Sequence, residues 1–519
     1  MLKLKFFLAI FYLLFCISFN WSQPNMQSKK VTEKFFKDYE NLKIITPAFK
    51  KKKGYTDYGE LISFLEYYQS KYSNFLTLNY IGKSQKGFDI PVLRIKDDND
   101  HNPTRIWIQA GLHGNESAST EGVLYLIAEL LENHQDLLSS LDISIVPMAN
   151  IDGYLRWSRY ANNGLDLNRD QTKLMAPESV SLKKAFSDFS PQVALDFHEY
   201  TPFRRDFSNF GKVGISNIYD AMFLYSGNLN VPKNLRNFTE EVFVKNAGIK
   251  LDQYKFTHHP YFSTGKLNGE IVFNKGSDNA RSSATSFALT NCISALIEVR
   301  GVRIGRSSFK RRTFITYLIG LSFIETTKAK IDELRAELKK AKENTKDIYV
   351  KNQRTIYKDS IRVIDLEKNE AVNINVKFRD ALKSKPDLVR KKPYAYLIKI
   401  NNNNLVEKLK ILGVEVHKLI SDEKLKVEEY LVNDFHKVEK KYEKASLQRV
   451  STILETKEVE FSKGTSVIFS NQKNSNLLFE VIEPEAPNSF VSWGVLKTRL
   501  NETLPIYRIS NYINLNYEK

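Results

Sequence analysis

The chain has 519 residues, of which 42% are hydrophobic, 12% aromatic and 26% charged. These fractions exclude a wholly disordered, collagen-like or coiled-coil protein, and the length exceeds what one hydrophobic core usually serves, so at least two domains are expected. Two cysteines, Cys16 and Cys292, exclude a disulfide framework, and 77 Lys and Arg against 60 Asp and Glu leave a net charge of +17.

That surplus is spread among Asn, Ile and Tyr and not gathered into a block, so no nucleic-acid partner is expected. Met1 to about Ser22 reads as a secretory signal. Lys3 and Lys5 form a basic start, Phe6 to Phe19 is almost wholly apolar, and Asn20, Trp21 and Ser22 restore polarity. The apolar run is shorter than the roughly 20 residues of a spanning helix. A secreted or periplasmic protein without stable membrane insertion is therefore expected, with a retained anchor as the alternative. Cys292 lies in an apolar stretch and reads as a core residue.

Residues 23–54 form a lead-in. From 55 to 325, short apolar runs alternate with helical patterns. Thr77–Ile81, Ile90–Ile95, Arg105–Ala110, Ile143–Pro147, Val193–Phe197 and Ile293–Val299 read as strands, and Gly122–Leu131 as a helix. That alternation predicts an α/β fold with a parallel or mixed sheet. Residues 326–345, rich in Lys, Glu and Ala, read as a helical connector. From 346 to 519, short strands such as Tyr394–Ile400 and Ser466–Phe469 predict a β-rich C-terminal domain. Glu483–Pro484–Glu485 within it suits either packing or partner contact.

His113–Gly114–Asn115–Glu116 follows directly on the Arg105–Ala110 strand, so an imidazole and a carboxylate can converge from one tight turn. His198 ends another apolar strand, and open α/β sheets place their sites at such strand ends. Two His and one Glu leave a fourth coordination position open, the pattern of catalytic rather than structural zinc. The segment from Asn150 to Arg169 carries Arg159 and Arg169, whose planar forks suit an anionic substrate end. Glu298 interrupts the last apolar strand, where a carboxylate must be paired, bound or functional. A salt bridge to Arg300, on the same strand face, is one reading, and a general base beside an activated water is the other.

H-x-x-E, N-x-D-G-Y, G-x-D-L-N-R, a His after an apolar strand, and apolar–Glu–x–Arg follow in that order over roughly residues 55–320. The series resembles the zinc metallocarboxypeptidases of the carboxypeptidase A type, in an exported bacterial form with an appended domain. The resemblance implies a mixed eight-stranded sheet flanked by helices, and one zinc ion held by His113, Glu116 and His198. It implies Glu298 as general base, Arg159 as oxyanion stabiliser, and Asn168 and Arg169 as the grip on the substrate's terminal carboxylate. The substrate would be a peptide or protein C-terminus. The family's substrate-binding tyrosine, some twenty residues before the glutamate, has no counterpart in Asn274–Asp278, and Tyr261 is the nearest upstream candidate. Arg300, Arg303 and Arg306 form a basic cluster that either favours acidic substrates or decorates the rim. Two alternatives stand beside peptide trimming: a zinc amidohydrolase of the same fold acting on cell-wall peptides or acyl-amino acids, and a noncatalytic peptide-binding protein.

Overall fold

The computed structural model describes residues 27–42, 46–96, 102–343, 347–399 and 402–518, so the Met1–Ser22 segment lies outside the described residues. The expected eight-stranded mixed sheet is present. From one edge its strands run Leu76–Lys83, Asp89–Lys96, Leu141–Val146 and Thr104–Ala110, then Val193–Tyr200, Ile293–Arg300, Ala221–Tyr225 and His258–Pro260. The middle four are mutually parallel, the strand next to them on each side is antiparallel, and the edge strand His258–Pro260 runs parallel to Ala221–Tyr225. Val193–Tyr200 is buried along its whole length, as a central strand covered on both faces must be.

The predicted Gly122–Leu131 helix extends over Ser117–Asn133 and is buried through Leu131. It packs beside the buried Phe309–Ala329 helix, where Tyr125 meets Tyr317 edge to face at 5.1 Å. The predicted connector forms a surface helix, Ile331–Glu343. Cys292 is buried, which pushes its thiol up to about 12. Among the described residues no helix is long and apolar enough to cross a membrane.

Two further sheets account for the β-rich C-terminal region. A long hairpin, Asp347–Asp365 and Glu370–Lys391, forms the middle of a five-stranded sheet. Its second strand pairs in parallel with Glu270–Lys275, so chain from both sides of residue 346 shares one hydrogen-bonded unit. The remaining strands form a seven-stranded sheet that includes Ala395–Ile398, Ser466–Phe469 and Thr503–Ile509.

Glu483 and Glu485 resolve into packing. Arg390, at the hairpin's end, donates to Glu483 at 2.8 Å and to both oxygens of Glu485 at 2.6 and 2.7 Å. Glu483 also accepts the phenols of Tyr396 and Tyr430, at 2.6 and 2.9 Å. All three members of this ion-pair group are buried. Removing the cation strands two buried carboxylates, a change that costs about 3–5 kcal/mol. Arg390→Met is expected to lower the unfolding free energy extrapolated from urea denaturation by that order, and adding Glu483→Gln and Glu485→Gln should recover part of it.

Candidate metal centre and active site

The site grows from the ends of the parallel strands. After Thr104–Ala110 the chain turns through His113–Glu116 into the Ser117–Asn133 helix, with Glu116 at its N-cap position. Gly114 makes that turn possible: a Cβ there would lie 2.0 Å from the backbone of Gly153. The neighbouring parallel pair fixes the rest, because Glu298 stands directly opposite His198 in register.

Nδ1 of His113 lies 2.8 Å from Oε1 of Glu116 and 2.9 Å from Nδ1 of His198, which in turn lies 2.8 Å from Oε2 of Glu116. All three residues are buried, and among the described residues they form the one group of His, Cys, Asp or Glu side chains placed so that it could hold a metal ion. This donor triangle fits zinc. Bonds of 2.0–2.1 Å in tetrahedral geometry separate ligand atoms by roughly 3.3 Å, close to what the side chains already adopt.

Carboxylates stand behind both imidazoles. Nε2 of His113 is hydrogen-bonded to Oδ1 of Asp166 at 3.0 Å, whereas Nε2 of His198 lies 2.9 Å from Oδ2 of Asp196 as an ion pair without hydrogen-bond alignment. A metal-ligating histidine characteristically hands its second nitrogen to a carboxylate, which sets the tautomer and ring orientation. Burial works against the charge on Glu116 and Asp166, yet His113 beside both, with His198 beside Glu116, holds the two carboxyls below the usual range. Burial likewise works against protonated His198, and Asp196 and Glu116 outweigh it and raise its pKa.

Arg159 reaches Asp166 at 2.9 Å and Glu116 at 3.6 Å, so Asp166 joins His113 to the arginine. Asn168 holds the opposite wall in place, with its Oδ1 accepting the Ser283 amide at 2.9 Å. Asn168, Arg169, Arg159, His113, Tyr261 and Glu298 all line one cavity of about 860 Å³.

Glu298 has one buried carboxylate oxygen, Oε2, with no hydrogen-bond partner. Burial first, then the negative charge of Glu116, pushes its carboxyl up to about 7. The sequence reading of a bridge to Arg300 gives way, because that guanidinium donates to Gln27 at 2.8 Å, to the carbonyl of Asn217 and to Ser216 at 3.1 Å. The basic cluster disperses with it. Arg306 is spent on the carbonyls of Gly54 and Ala48, and Arg303 alone of the three lines the cavity.

Sequence reasoning missed Asp166 and Asp196. Asp196 carried a signal, since residues two apart on a strand share a face and Asp196 precedes His198 by two. Asp166 carried none beyond its place in the G-x-D-L-N-R run. Tyr261 carried an ambiguous one, and the structure brings it into the cavity with Glu298. Also unforeseen was the C-terminal region's share of the wall, which includes Asn352, Arg354, Arg379 and Glu480.

Residues 61–208 match the zinc carboxypeptidase family model. Carboxypeptidase 2 of Trichophyton rubrum is 28% identical over 442 residues, covering 82% of this chain and 81% of its own. Carboxypeptidase 2 of Trichophyton equinum is 28% identical over 414 residues, covering 78% and 76%. The solved carboxypeptidase A of Helicoverpa armigera aligns with a TM-score of 0.41 at 20% identity, over 53% of this chain and 73% of its own. The family model and the curated relatives point to a zinc metallopeptidase, and within that class to the carboxypeptidase A-like family.

Asp196 offers a test of the metal centre that is independent of turnover. Asp196→Asn removes the charge behind His198 and is expected to weaken zinc binding about 10- to 100-fold, measured by competition with a chelating dye. Unchanged affinity would mean that Asp196 does not support the ligand.

Proposed function

We propose that this chain removes C-terminal residues from peptides, with one zinc ion held by His113, Glu116 and His198. The observation that carries the reading is the register of Glu298 against His198. It sets an unpartnered carboxylate oxygen beside three metal donors, in a cavity that also holds Asn168 and Arg169.

In this reading Arg169 and Asn168 receive the α-carboxylate of the terminal residue, which fixes the last peptide bond over the metal donors. A planar guanidinium suits that role because it binds a carboxylate through two parallel N–H donors. When bound, the ion supplies Lewis acidity, polarising a carbonyl and lowering the pKa of a coordinated water towards about 7. Glu298 accepts the proton of the attacking water at its free Oε2 and passes it to the leaving amine. Arg159, already held against Asp166, faces the negative charge that develops on the carbonyl oxygen. A preorganised donor of this kind is worth about 100- to 1,000-fold in rate. Tyr261, in the same cavity, is the tyrosine placed to contact the substrate.

Incubation of a mixed peptide pool with zinc-loaded protein, read by mass spectrometry, tests the reading. Ladders shortened one residue at a time from the C-terminus are expected. With Glu298→Gln the ladders should vanish while one zinc per chain remains bound. An unchanged pool with wild-type protein would overturn peptide trimming and leave the cell-wall or acyl-amide alternative. Equal peptide loss with and without Glu298 would remove it as the base.

We also infer export, from the basic start and apolar run of Met1 to Ser22. Expressed in a secreting host, the mature protein is expected outside the cytoplasm with an N-terminus near residue 23, read by N-terminal sequencing. Full-length protein retained in the membrane fraction would instead support an anchor.

A further inference from the structure

The cavity is more cationic than terminal-carboxylate recognition requires. Its wall carries Arg159, Arg169, Arg204, Arg281, Arg354 and Arg379, besides Arg303. Several of these are accounted for. Arg159 is paired with Asp166, Arg354 with Asp278 at 2.5 Å, and Arg204 donates to Thr264 at 2.8 Å. Arg169 is assigned above to the substrate's α-carboxylate. Arg281 and Arg379 remain, both half-buried, and neither forms an ion pair with a carboxylate of any described residue.

Their placement is built. Arg281 lies two residues before Ser283, whose amide is fixed to the side chain of Asn168, and its own carbonyl accepts from Gln171 at 3.4 Å. Its guanidinium rests over the ring of Tyr442, 5.1 Å from the centroid. Arg379 is set by the parallel pairing of the C-terminal hairpin, opposite Asn274, another residue of the cavity wall. Arg354, on the hairpin's first strand, bears on both: after burial, its positive charge is among the influences that lower the pKa of each, while Tyr442 and Asp166 near Arg281 and Asp278 near Arg379 act the other way without forming an ion pair with either. Like charges gathered this way repel one another, and an anion placed among them relieves that repulsion.

We propose that Arg281 and Arg379 bind a second carboxylate of the substrate, so that the cavity selects peptides with an acidic residue at or next to the C-terminus. The proposal rests on the peptide-trimming reading for the position of the α-carboxylate at Arg169. Glu480, in the same cavity, argues for a basic side chain instead. Its Oε1, however, is taken by the amides of Asn228 and Asn230 at 2.6 and 2.8 Å, and burial pushes its carboxyl up to about 7. At neutral pH it carries only part of a charge.

The test uses zinc-loaded full-length Glu298→Gln protein and four otherwise identical peptides, with binding measured by calorimetry. The peptides end in Gln-Gln, Gln-Glu, Glu-Gln and Gln-Lys. One of the acidic peptides is expected to bind about 10- to 100-fold more tightly than the Gln-Gln peptide. Which of the two gains identifies the position of the second carboxylate. Adding Arg281→Gln or Arg379→Gln should bring that ratio towards one, in protein whose melting temperature is retained. The ratio should also shrink as ionic strength rises, because a partly exposed charge pair is screened. Equal binding of all four peptides, tighter binding of the Gln-Lys peptide, or no binding would overturn the proposal. Hydrolysis of the same peptides by wild-type protein separates the two claims. An acidic preference in binding without hydrolysis sinks the trimming reading and leaves the anion site standing. Hydrolysis without that preference does the reverse.

Discussion

The parallel pairing of Val193–Tyr200 with Ile293–Arg300 is the constraint on which the site depends. In register, it aligns His198 with Glu298, and its neighbour Thr104–Ala110 delivers His113 and Glu116 to the same end of the sheet. A parallel sheet covered on both faces leaves little water to solvate those groups, so their charges are set by one another. Glu116 is held ionised by two imidazoles while Glu298, beside it, is driven towards its neutral form. Two carboxyls pushed in opposite directions by one environment are the physical basis on which the roles proposed for them, ligand and base, differ.

Support behind the donors follows the same economy. Asp196 lies on the strand of His198 itself, and Asp166 serves His113 and Arg159 together. Arg159 and His113 are therefore tied to one carboxylate. A shift of the Asn150–Arg169 segment displaces Arg159, Asn168 and the orientation of His113 at once. The C-terminal region reaches this segment too: Glu443 accepts the amide of Asp166 at 2.9 Å.

Much of this arrangement was legible in the sequence because the residues that carry it interrupt apolar strands. His198 and Glu298 stand out for that reason, and Arg105–Ala110 leading into His113 places the turn at a strand end. Arg300 shows the limit of the same rule. Two residues on, it shares a strand face with Glu298, but its long side chain finds Gln27 and the backbone near Asn217, partners far away in sequence. Arg354 and Arg379 were invisible as wall residues, since nothing local announces that a hairpin more than seventy residues downstream will add itself in parallel to Glu270–Lys275. Periodicity reports which face of an element is apolar and says nothing about which distant element will cover it.

That parallel seam has a consequence for how the protein can be cut or recombined. Glu270–Lys275 has Phe262–Leu267 on one side and the hairpin on the other. A chain ended near residue 345, where composition suggests a clean boundary, would turn this strand into a bare edge with unpaired amides and carbonyls, the kind of surface that recruits other chains into aggregates. The C-terminal third is thus no passenger that a truncation could shed, because part of the enzyme's own sheet is completed by it.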